Sequence, residues 1–151
     1  MPITLSHEIE ISAPAEDVWR VIADYAQDPS WRTGVKEMTA TPVGLVRAGT
    51  TTVEVLVVAG RTYRNLGEVT LVVPGARFEW RTTEGAVAHG AREVRALAPD
   101  RCAVRLDLEV TPTGVNRILA PLLGRMLARN LTGDVERLRT LVEQLPEAVT
   151  A

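Results

Sequence analysis

Between Val35 and Thr111 the chain never shows a helical period. Valines and threonines dominate, and turn signals cut the stretch at short intervals: Ala48-Gly49, Ala59-Gly60, Pro74-Gly75, Glu84-Gly85 and Pro99-Asp100. Runs of this kind read as strands. Connections this short join antiparallel neighbours, because a parallel pair needs a long crossover. Strands are expected over 35–42, 50–59, 62–73, 77–83, 87–98 and 101–111. One more precedes them. Ile3, Leu5, His7, Ile9 and Ile11 alternate with Thr4, Ser6, Glu8, Glu10 and Ser12, the period of a half-buried strand.

An antiparallel meander has to cover its apolar face. After Thr111-Pro112-Thr113-Gly114 the period turns helical. Leu119, Leu123, Leu127, Leu131, Val135, Leu138, Val142 and Leu145 recur at spacings of three and four, which predicts one long amphipathic helix ending at Pro146. Pro121 belongs in its first turns, where it bends or restarts the helix. A helix of about 30 residues is about 45 Å long. It cannot bury such a stripe alone, and the curved sheet is the only partner large enough. Ahead of the meander, Pro14, Glu16 and Asp17 suit a helical first turn. Val18, Trp19, Ile22 and Ala23 continue the stripe to about Tyr25. Asp28-Pro29 breaks it, and a short second helical turn is expected around 30–32.

Composition narrows the class. A length of 151 residues suits one domain, 1–151, with no internal repeat or linker. Hydrophobic residues at 46% and charged residues at 24% exclude a disordered chain. A net charge of -2 leaves no basic field for a phosphate backbone, so no nucleic-acid partner is expected. Lys36 is the only lysine beside 16 arginines, a bias read as GC-rich coding and a bacterial source. Cys102 is the only cysteine, which excludes an internal disulfide, and His7 and His89 lie far apart, so no metal site is expected. MPITLSHE lacks the form of a signal peptide. The apolar runs at 55–59 and 118–123 fall far short of the about 20 residues a membrane span needs. A cytoplasmic protein that does not insert into membranes is therefore expected.

The segment EIEISAPAEDVWRVIADYAQDPSW at 8–31, with Ala13-Pro14, Val18-Trp19, Asp24-Tyr25 and then Trp31, resembles the helix-grip superfamily of START-like (SRPBCC) proteins. Within it the chain resembles the polyketide cyclase/dehydrase-like proteins, and the resemblance covers the whole length. It implies an α+β helix-grip fold: a curved seven-stranded antiparallel sheet wrapped around the long C-terminal helix, with two short helices after the first strand. It also implies a hydrophobic ligand held between sheet and helix. The motif specifies how the first helices join the sheet and says little about chemistry.

Alternation supplies an expected inward face. In the last strand Cys102, Val104, Leu106, Leu108 and Val110 point one way. By the same rule Val53, Val55 and Val57 point in, as do Tyr63, Asn65, Val69 and Leu71, then Phe78 and Trp80, then Arg92, Val94 and Ala96. A bulge near Gly90 would reverse the last group. The expected ligand contacts are Trp31, Val55, Val57, Asn65, Phe78, Trp80, Val94 and Leu106, with Leu123, Met126 and Asn130 from the long helix. None of the acidic residues falls clearly on an inward face, and Glu37 is undecided.

Several inward polar groups together suit a solvated cavity better than a dry core. His7, Tyr63 and Arg92 are the candidates for proton transfer or enolate stabilisation. His7 is the only inward imidazole, a group suited to general acid/base work, yet a lone His on a strand is more often a hydrogen-bonded core residue. Tyr63 can donate to a ligand carbonyl or simply cap the sheet. Arg92 can pair with a ligand carboxylate or enolate. Paired-carboxylate hydrolysis is disfavoured. Signatures of serine-nucleophile, NTP and dinucleotide chemistry are missing, and no cofactor is expected. Three functions compete: a carrier of a polyketide, lipid or isoprenoid-like molecule; a cofactor-independent cyclase, dehydratase or isomerase; and an interaction protein with a vestigial cavity. Six aromatics in the whole chain suit an aliphatic or mixed ligand at least as well as an aromatic one, which puts the binding role first. The oligomeric state is open.

Overall fold

The computed structural model describes residues 2–145. Strand β1 (Ile3–Ile11) leads into helix α1 (Ala15–Ile22), a 3₁₀ turn (Tyr25–Gln27) and the one-turn helix α2 (Asp28–Trp31). The meander follows: β2 (Val35–Thr41), β3 (Thr51–Val58), β4 (Arg61–Val73), β5 (Arg77–Glu84), β6 (Val87–Ala98) and β7 (Arg101–Thr111). A second 3₁₀ turn (Gly114–Arg117) precedes the long helix α3 (Ala120–Glu143). The seven strands form one antiparallel sheet in the order β1-β7-β6-β5-β4-β3-β2. Sheet, helices and connectivity are those of the helix-grip fold.

Local chemistry explains the breaks. Pro14 caps α1, Glu16 and Asp17 sit in its positive first turn, and Val18, Trp19, Val21 and Ile22 are buried. Ala59 and Gly60 both have positive φ, the primed two-residue turn that matches strand twist and fixes Val58 opposite Arg61. Pro121 lies in the first turn of α3, so the helix begins there and the preceding residues form a separate 3₁₀ turn. At 24 residues α3 is shorter than the expected 30 and spans about 36 Å. The expected end at Pro146 lies outside the described residues.

The two halves of α3 bury different things. Leu131, Val135, Leu138 and Val142 are buried, and they share one core with α1, Phe78, Val94, Cys102 and Val104. Burial pushes the Cys102 thiol up to about 11, so it is neutral at ordinary pH. No residue between Ala120 and Asn130 is fully buried, because that half of the helix roofs a cavity.

Candidate functional site

The cavity holds about 360 Å³ and lies between the sheet and the first half of α3. Leu123, Leu127 and Leu131 form its roof; Leu106, Leu108 and Val110 of β7 form one wall. Trp80 and Ala91 line its centre, and Met38, Leu56 and Val58 its far side. Gly90 makes room for this wall. A Cβ there would stand 2.3 Å from the Asp107 carbonyl oxygen and 2.8 Å from the Trp80 ring. Pairing is regular through Gly90; the irregularities lie elsewhere, at Val35/Glu37, Leu66/Gly67, Val69/Leu71 and Ala96/Ala98. Arg92 therefore points inward, whereas the slip after Val69 turns Leu71 out to 43% exposure.

One wall has the opposite facing to that expected. Thr52, Glu54, Leu56 and Val58 line the cavity, and Val53, Val55 and Val57 are half-buried on the outer face. The hairpin requires this. With Val58 opposite Arg61, Leu56 pairs with Tyr63 and Glu54 with Asn65, and paired residues share a face. The two-residue Ala59-Gly60 turn thus makes inward Tyr63 and Asn65 incompatible with inward Val55 and Val57.

The polar floor is a connected network. Arg92 donates from Nη1 to the Ile22 carbonyl and to Asp28 Oδ1, both at 2.9 Å, and from Nη2 to Asp28 Oδ2 at 2.7 Å. Its guanidinium lies 4.9 Å, 5.0 Å and 5.5 Å from the ring centroids of Tyr25, Trp31 and Phe78. Arg32 bridges Asp28 and Glu54, donating at 2.9 Å and 2.7 Å. Burial works against the Arg32 charge, but Glu54 and Asp28 outweigh it and hold the guanidinium protonated. Asn65 donates to Glu54 and accepts from the Ala86 backbone N–H, tying the β5–β6 hairpin to the floor. Asp134 of α3 accepts from the Thr33 backbone N–H and hydroxyl, each at 2.7 Å, and from Arg137 at 2.6 Å. Three carboxylates thus face the interior, contrary to the expectation of none: Asp28, Glu54 and Asp134. Asp28 and Asp134 are buried and Glu54 is half-buried, each against arginine, amide or backbone donors, which strand alternation alone does not reveal. An inward arginine needing a counter-charge was the available signal.

The Trp31 and Tyr63 donors keep unused capacity. The Trp31 indole N–H is buried with no partner, alone in this among the described residues. The Tyr63 hydroxyl accepts from Asn116 Nδ2 at 3.3 Å, leaving its own proton free to donate. Tyr25 also lines the cavity, and burial raises its hydroxyl above the ordinary tyrosine range, so it stays protonated.

Of the expected contact residues, Trp31, Tyr63, Asn65, Trp80, Arg92, Leu106, Leu123 and Asn130 line the cavity. Phe78 and Val94 face inward but lie further along their strands. Phe78 meets Trp19 and Tyr25 edge-on at 6.0 Å and 5.8 Å, and both residues belong to the dry core. Met126, one helical step from Leu127, and His7, half-buried on β1 opposite Leu106, are not among the lining residues. Among the described residues no three His, Cys, Asp or Glu side chains converge on a metal position, and no helix is long and apolar enough to cross a membrane.

Residues 2–143 match the family model described as polyketide cyclase / dehydrase and lipid transport. The chain belongs to this family. No curated protein matches it. Among solved structures it is similar to an aromatase/cyclase from a Streptomyces species, with TM-score 0.82 and 16% identity over 100% of this chain and 99% of that one. A START superfamily protein from Mycobacterium smegmatis superposes with TM-score 0.76 and 18% identity, over 95% and 99% of the two chains. Norcoclaurine synthase from Thalictrum flavum gives TM-score 0.67 and 16% identity, over 97% and 90%. At such identities the structural likeness speaks for the fold. Family membership and the cavity together support a ligand-binding or cyclase role.

Proposed function

We propose that the protein binds a small, predominantly apolar and electrically neutral molecule, a polyketide, lipid or isoprenoid-like compound, in the cavity under α3. The observation that carries this reading is the state of the floor. Its charges already satisfy one another: Arg92 and Arg32 are held by Asp28 and Glu54, and Asp134 by Thr33 and Arg137. A charged ligand would have to break such a pair, whereas a neutral one meets apolar walls and a few spare donors. The volume falls in the range of about 300–1,000 Å³ found for small-molecule sites. Trp31, Trp80, Leu106, Leu123 and Asn130 would contact the ligand, and Tyr63 would donate to an oxygen on it.

Titration with phenylnaphthylamine, a neutral hydrophobic fluorophore, tests this reading. Fluorescence should rise saturably, and Leu127→Arg, which places a charge in the roof, should abolish the rise while the circular dichroism spectrum is kept. Equal binding by wild type and variant would refute it.

A cyclase or dehydratase reading is favoured by one observation, the free Tyr63 proton beside an apolar cavity, together with the family description. Tyr63 would then protonate or hydrogen-bond a developing enolate. Arg92 is less suited, since its donors already serve Asp28 and Ile22. His7 would need a ligand that reaches beyond the cavity lining. Turnover that vanishes in Tyr63→Phe, with phenylnaphthylamine binding intact, would establish the enzyme reading.

A further inference from the structure

Around the start of the long helix several apolar side chains are left uncovered by the sheet. Val115, Ile118, Leu119 and Leu122 are 64%, 82%, 47% and 58% exposed. They sit on the 3₁₀ turn and the start of α3, the stretch that also supplies Pro112, Thr113, Asn116 and Leu123 to the cavity lining. Val87, 52% exposed, lines the cavity from the β5–β6 hairpin. These side chains therefore stand together on one rim of the cavity. Single exposed apolar residues are ordinary, but a cluster marks an interaction site.

Charge indicates what the rim meets. From Pro112 to Gly133 the chain carries Arg117, Arg125 and Arg129 and no Asp or Glu, although the whole protein has net charge -2. All three arginines are exposed. Leu122, Arg125 and Arg129 follow one another at spacings of three and four, so they share one outer face of α3. An apolar tip backed by arginines is the pattern of an interfacial helix on anionic lipid. A symmetric contact with a second copy would instead set Arg117 and Arg125 against their own counterparts. The rim also lacks the aromatic anchors that dominate protein–protein hot spots, since 112–130 contains no Phe, Tyr or Trp.

We propose that this rim docks on an anionic lipid surface. Val115, Ile118, Leu119 and Leu122 enter the headgroup–acyl boundary, and Arg117 and Arg125 meet lipid phosphates. The contact is peripheral and does not depend on the cavity being occupied. It would place the cavity rim against the bilayer, where an apolar molecule can pass without crossing water.

Vesicle flotation tests this. The protein should float with phosphatidylcholine vesicles containing phosphatidylglycerol, more weakly with phosphatidylcholine alone, and less as salt rises. Ile118→Asp with Leu122→Asp should weaken binding by at least about tenfold. Arg117→Gln and Arg125→Gln should each cost about fivefold on the anionic vesicles. Phenylnaphthylamine binding and thermal midpoint should be unchanged in all of these variants, because the four side chains are exposed. No flotation with either vesicle, or flotation indifferent to the variants, would overturn the proposal. So would a wild-type dimer that Ile118→Asp dissociates, or a protein that ignores vesicles and binds an acidic protein through this rim.

Discussion

Asp28→Asn is the most informative perturbation of the floor. Asp28 is fully buried and accepts two hydrogen bonds from Arg92 and one from Arg32. The amide keeps the shape but loses the charge, and its NH₂ group replaces an acceptor with a donor aimed at a guanidinium. Arg92 would then keep only the Ile22 carbonyl and three aromatic faces. These aromatic contacts are already made in the wild type, so they offer nothing new to replace the lost counter-ion. Removing one partner of a buried pair costs about 3–5 kcal/mol. For a chain of this size, each kcal/mol lowers the midpoint by about 2–4 °C, so a drop on the order of 10 °C is expected. Thermal unfolding followed by tryptophan fluorescence measures it, since Trp31 stacks on Arg92. A second arm tests the cause. Asp28→Leu combined with Arg92→Met removes both charges, and apolar replacement of a whole buried pair is often neutral. The double variant should regain more than half of the loss. A cost for Asp28→Asn below about 1 kcal/mol, the scale of a surface ion pair, would refute the reasoning. So would a double variant whose loss is the sum of its parts.

Two further outcomes follow from named contacts. Gly90→Ala should cost more than about 1–3 kcal/mol of ordinary overpacking, because the new Cβ meets a backbone oxygen that cannot swing aside, and the Trp80 emission should shift with it. The Cys102 thiol should resist thiol reagents in the native state at pH 8 and react on unfolding. Its pKa is raised from 9.0 to about 11 by burial, so between those values the unfolded state releases the proton first. Stability should therefore fall as pH rises through that window, and Cys102→Ala should lessen the pH dependence, to which Tyr25 also contributes, at some cost in packing.

How much of this could be read from the chain depended on whether one element decided the matter. Turn dipeptides and the leucine spacing are local, and the strands and α3 fall within a few residues of their expected bounds. Inward Arg92, Tyr63 and Asn65 follow from alternation in strands whose pairing stays regular around them. Val55 and Val57 misled because the outer face of β3 is as apolar as its inner one. Only the partner strand, through the Ala59-Gly60 hairpin, decides between the two faces. Asp28 was legible as a helix breaker before Pro29, and its burial under Arg92 depends on packing between α2 and β6. Phe78 and Val94 show the remaining ambiguity. Alternation tells which face a side chain is on, and the covering helix decides whether that part of the face is dry core or cavity.

The charges of the floor satisfy one another, and the proposed guest of the apolar cavity is therefore neutral. Native mass spectrometry of gently purified protein addresses it directly. An added mass from an apolar, uncharged small molecule is expected, absent in Leu127→Arg. A co-purified molecule carrying a carboxylate or phosphate would contradict it, as would a protein that is empty and also fails to take up phenylnaphthylamine.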